Sequence, residues 1–93
     1  MKMGSLFLEI IKYLEEIDSR PREVEQFFIW LENSGLIDLI ELEGYYLHIL
    51  EKIKDENVLV FGVGILRDFE NKYPEIFKEY RLHKISQKLF END

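Results

Sequence analysis

The groups in this chain that could do chemistry are two histidines, nineteen carboxylates, four serines and a set of basic side chains, and spacing decides what each can do. His48 has Glu51 three residues on, while His83 has Glu79 four residues back and Gln87 four ahead. A zinc protease helix needs two His four apart with a Glu beside the first, so that both rings meet one ion. A di-iron bundle needs paired Glu-x-x-His segments on facing helices. Neither pattern occurs, so no metal and no cofactor is expected. Cysteine is absent, which removes thiolate ligands, thiol nucleophiles and disulfides together. Carboxylate pairs such as Glu15-Glu16 and Glu41/Glu43 have no second chemical group at a fixed spacing and read as solvated helix faces. No His and acid are arranged around any serine, and Gly62-Val63-Gly64 lacks the rest of a phosphate-binding fingerprint. No catalytic residue is assigned, and the chain is expected not to be an enzyme.

One basic feature stands out. On the last predicted helix Arg81, Lys84 and Lys88 fall within about 60° of each other at the 100° step of an α-helix, with Lys78 beside them. Such a stripe can follow phosphates or grip an acidic partner. It can also answer the acidic helices of its own molecule, or the negative end of its own helix dipole. These four residues are the candidate anion or nucleic-acid contacts. The formal net charge of −7 argues against a general polyanion binder. Residues 1–35 carry four basic and seven acidic side chains, residues 36–57 two and six, and residues 58–93 six of each. A nucleic-acid-binding regulator is therefore the second reading. The first is a small non-enzymatic module that binds a protein partner or itself. Thirteen aromatic residues support it. Trp30, Tyr45 and Tyr46 are hard to bury together, and aromatic side chains are enriched at interface cores. They are the candidate interface aromatics; the bland alternative is that they fill the core.

The elements that must position these groups read as helices. Over Ser5 to Ile17, Phe7, Ile10, Leu14 and Ile17 recur at three-and-four spacing opposite Glu9, Lys12, Glu15 and Glu16. Asp18-Ser19-Arg20 makes a turn, with Ser19 a candidate cap. A second helix is expected from Arg20 to Asn33, with Val24, Phe27, Phe28 and Leu31 as its apolar stripe and a stop at Ser34-Gly35. Leu36 to Lys54 repeats Leu39, Leu42, Tyr46, Ile49 and Ile53 at helical spacing, with Gly44 a place for a kink or break. Val58 to Leu66 is apolar all round, and Asn57 is a good cap. A central buried helix is expected over Asn57–Lys72, with Gly62 and Gly64 admitting a close neighbour. The last helix should run from Pro74 to about Phe90. Its stripe divides: Ile76, Phe77 and Tyr80 share one face, whereas Leu82, Ile85 and Leu89 lie almost opposite. Either it bends near Arg81 or both faces meet partners. The expected fold class is all-α, a compact bundle of four to five helices around a central buried helix at about residues 57–72.

One local resemblance runs the other way. Trp30-Leu31-Glu32-Asn33-Ser34-Gly35-Leu36-Ile37 resembles the end of a winged-helix recognition helix, and Gly44-Tyr45-Tyr46-Leu47 resembles the second wing strand. That would imply DNA binding and a strand over residues 44–47. The pattern needs three helices before the glycine, yet Asp18-Ser19-Arg20 leaves room for only two. The wing would also carry Asp38, Glu41 and Glu43, which repel phosphates. The family is not assigned.

Ninety-three residues, 46% of them apolar, suit one domain with one core. The longest apolar run, Val58 to Leu66, is far below the roughly 20 residues of a membrane span. Nothing near Met1 reads as a secretory signal, so a cytoplasmic protein with no membrane role and no evident small-molecule substrate is expected. Ala and Thr are absent, and Asn plus Gln number six against fourteen Glu. Charge at the expense of labile amides is a hyperthermophile pattern. The expected outcome of a thermal melt is a midpoint well above the roughly 45–65 °C of ordinary domains; a midpoint near the bottom of that range would refute the hyperthermophile reading.

Overall fold

The computed structural model describes residues 3–17, 22–55 and 62–91. Five helices follow in order: α1 (Met3–Ile17), α2 (Arg22–Ser34), α3 (Leu39–Lys54), α4 (Gly62–Lys72) and α5 (Pro74–Glu91). Among the described residues there is no strand. The all-α bundle expected from the periodicity is the observed fold. Residues 44–47 lie within α3, so the wing strand that the winged-helix resemblance implied is absent.

Local chemistry accounts for the helix ends. Gly35 takes a left-handed backbone (φ 71°), a conformation that glycine enters without a Cβ clash. The Ser34 hydroxyl donates to the Leu31 carbonyl at 2.8 Å and accepts from the Leu36 amide at 3.1 Å, occupying groups that the end of α2 leaves open. The third helix begins at Leu39 and not at Leu36, because Asp38 caps it. Its carboxylate accepts from the Ile40 amide at 3.3 Å, and its carbonyl accepts from the Leu42 amide at 2.8 Å. From there α3 runs through Gly44 without a break. A single residue, Tyr73, separates α4 from α5. Its amide donates to the Phe69 carbonyl at 2.8 Å, and its carbonyl accepts from the Phe77 amide at 3.0 Å. Pro74 opens α5, where its missing N–H has no intrahelical partner to lose.

Packing places α1 against α3 and α2, and α4 against α5 and α2, with α2 also touching α5. The second helix therefore lies between two pairs. Its adjacent rings divide the work. Phe27 reaches Phe69 of α4 (4.8 Å between centroids) and Tyr80 and Phe77 of α5 (4.7 and 5.8 Å). Phe28 reaches Phe7 of α1 (5.8 Å) and Tyr46 of α3 (4.9 Å). Both are fully buried, and among the described residues no strongly polar or charged side chain is buried.

The rings of α2 thus meet those of both pairs, and of the helix expected over residues 57–72 the structure describes α4, Gly62–Lys72. Residues 57–61, which carry the first part of the apolar run, and the packing of Gly62 lie outside the described residues. From Ile65 onward α4 is amphipathic: Ile65 and Phe69 are buried, whereas Arg67, Asn71 and Lys72 are exposed. Among the described residues no helix is long and apolar enough to cross a membrane.

Two substitutions test this account by denaturant unfolding at low protein concentration. Phe27→Ala should cost about 3–5 kcal/mol, the range for emptying a large aromatic site. Gly44→Ala should stabilise by up to about 1 kcal/mol, because a Cβ there meets nothing within 4 Å and Ala is the better helix former.

Candidate functional site

The divided stripe of α5 has a simple resolution. Its inner face, Phe77 and Tyr80, is buried against α2 and α4. Its outer face is uncovered: Leu82 is 51% exposed, Ile85 57%, Leu89 66% and Phe90 78%. Every residue from Lys84 to Phe90 is exposed, so the end of α5 stands clear of the bundle. The molecule measures 42 × 29 × 24 Å, with a radius of gyration of 13.3 Å, against about 12 Å for a rounder chain of this length.

Leu82, Ile85 and Leu89 follow one another at three and four residues and form a ridge on one side of the helix. The basic stripe borders it. Arg81 is held within the molecule: its guanidinium bonds the Glu70 carboxylate of α4 and lies 5.3 Å from the centre of the Phe77 ring. Lys84 places Nζ 5.9 Å from the Tyr80 ring. Lys78 and Lys88 are exposed, and among the described residues neither they nor Lys84 forms an ion pair. Of the four candidate anion contacts, Arg81 is therefore the one with a carboxylate partner among the described residues.

The candidate interface aromatics part company. Tyr45 and Tyr46 are in the core, because each hydroxyl finds a partner. Tyr45 donates to the Asp68 carboxylate at 3.1 Å and also lies 3.3 Å from the Ile65 carbonyl; Tyr46 donates to Glu32 at 2.7 Å. Burial, and then the adjacent carboxylate, holds both phenols far above their ordinary range. Neither presents a surface to a partner in this fold. Trp30 is half-buried, 5.1 Å from the Tyr80 ring and 6.1 Å from that of His83. Two concavities flank this contact. One, of about 630 Å³, is lined by Gln26, Ile29, Trp30, Tyr80, His83, Lys84 and Gln87. The other, of about 460 Å³, lies among Trp30, Ser34, Leu36, Glu79, Leu82, His83 and Ser86. The second joins Leu36 to the start of the ridge.

The structure also assembles a polar cluster that spacing could not reveal. His48 of α3 places Nε2 3.5 Å from the Asp68 oxygen that Tyr45 bonds, and this nitrogen is buried without a hydrogen bond. Asp68 lies 20 residues from His48 and 23 from Tyr45 in the chain, and the described concavities do not reach the cluster. No group of three or more metal-ligating side chains gathers among the described residues. Comparison with protein-family models, with curated proteins and with solved structures gives no match.

The buried phenols make an alkaline prediction. An unfolded tyrosine ionises near pH 10, whereas Tyr45 and Tyr46 ionise higher in the fold. Above about pH 10 the unfolded chain therefore holds fewer protons than the native one, and stability falls as pH rises. In a spectrophotometric titration, two of the five tyrosines should ionise only together with loss of helical circular dichroism. Complete ionisation with the helix signal intact would contradict the buried, paired placement.

Proposed function

We propose that this protein works by contact and not by catalysis: a small helical interaction module whose contact face is the outer side of α5. The observation that carries the reading is the uncovered ridge of Leu82, Ile85 and Leu89, continued by Phe90, on a helix end that stands away from its own core. A contiguous apolar patch exposed on a folded protein marks a place where another surface is covered. An amphipathic helix offering anchors at three-and-four spacing is a recurrent way to enter a partner's groove. Half-buried Trp30 and the concavity beside Leu36 supply an edge against which such a contact can close. Arg81, held by Glu70, weakens the nucleic-acid alternative, and the overall negative charge opposes it. A cytoplasmic setting agrees with a chain that needs no disulfide to fold.

The test is photocrosslinking in the native host from the full chain carrying Ile85→p-benzoylphenylalanine, with the same change at exposed Glu15 of α1 as control. A protein adduct, whether with another chain or with a second copy, is expected at position 85 and not at 15. Equal labelling at the two positions, or adducts with nucleic acid or lipid in place of protein, would overturn the proposal.

A further inference from the structure

The ridge on α5 has a counterpart on α3. Ile40 is 75% exposed and Leu47 50%, and their seven-position spacing brings both to one side of the helix. Gly44 lies between them with open space where a Cβ would stand, so an approaching side chain can come close to the backbone. Glu43 and Glu51 fall on this same side at the 100° step. Over residues 38–51 the chain has four acidic side chains and no Lys or Arg. Over residues 80–90 it has three basic side chains and no Asp or Glu. Lys54, at the far end of α3, is turned towards Glu9 of α1 at 3.9 Å. Among the described residues Glu43, Glu51, Lys84 and Lys88 have no ion-pair partner.

The molecule thus carries two uncovered apolar faces of opposite charge, and their exposure shows that they do not cover each other within one chain. We infer that they cover each other between chains: the protein forms a symmetric dimer in which the α5 ridge of each copy packs on the α3 face of the other. This rests on the reading of α5 as a protein-contact face and names its occupant. Packing α5 on its own copy would set Lys84 and Lys88 against like charges, a juxtaposition that costs affinity. Pairing α5 with α3 matches base to acid and apolar to apolar. A two-fold arrangement makes the contact twice. It covers both faces of both copies, which brings the buried surface towards the roughly 800 Å² per partner of a stable interface.

Sedimentation of the purified full chain tests the inference, with circular dichroism confirming that each variant is folded. At micromolar concentration the parent should run at twice the chain mass. Lys84→Glu with Lys88→Glu should run as a monomer, since both its faces are then acidic. Glu43→Lys with Glu51→Lys should also be a monomer, with both faces basic. Mixed in equal amounts, the two variants should recover the doubled mass, because acid then meets base at both contacts. A parent that stays monomeric, variants that stay dimeric, or a mixture that fails to recover the dimer would each overturn the α5-on-α3 pairing. A monomeric parent whose position 85 still crosslinks to another protein would refute the dimer alone and leave the interaction reading intact. Loss of the crosslink as well would remove both.

Discussion

Two consecutive phenylalanines hold this fold together. One step along a helix turns a side chain by about 100°, so Phe27 and Phe28 of α2 point into different halves of the bundle. Phe27 meets rings from α4 and α5, and Phe28 meets rings from α1 and α3. Edge-on and tilted ring contacts at these separations add to the apolar burial that drives assembly. A chain of this size cannot build two independent cores. The solution here is one core with a shared wall, and α2 is the wall.

Burying two tyrosines beside that wall requires polar partners for their hydroxyls, since an unpaired buried hydroxyl costs more than its ring gains at the margin. Glu32, Asp68 and the Ile65 carbonyl meet this requirement. These bonds also tie α3 to α2 and α4. Because the two charged acceptors, Glu32 and Asp68, are only part-buried, the core stays free of charge while its rim is specified by polar contacts.

Much of this was legible in the chain and part was not, for physical reasons. Three-and-four apolar spacing located α1, α2 and α5 because each buries one stripe, and a stripe leaves a periodic trace. Gly35 and Pro74 marked boundaries because their backbones favour those positions. The start of α3 was misplaced by three residues: Leu36 and Ile37 are apolar and extend the pattern, but the Asp38 cap overrides it. The fate of Tyr45 and Tyr46 was illegible, because their partners Asp68 and Glu32 are distant in sequence and only the fold brings them together. The divided stripe of α5 was visible, with Leu82, Ile85 and Leu89 set opposite Phe77 and Tyr80. That the first set stays uncovered depends on where α5 leaves the bundle, which no local pattern encodes.

The one-residue joint between α4 and α5 gives α5 the character of a lever. Its amide and carbonyl are engaged on both sides, so the joint has little freedom of its own. Phe77 and Tyr80, wedged against Phe27, fix the near arm, and the ridge rides on the far arm. Eighteen residues at the helical rise span about 27 Å, so a tilt of roughly 10° at the joint carries the tip through about 5 Å. Small changes in the volume packed around Phe27 are therefore magnified at Leu89, and the geometry of the outer face is set from inside the core.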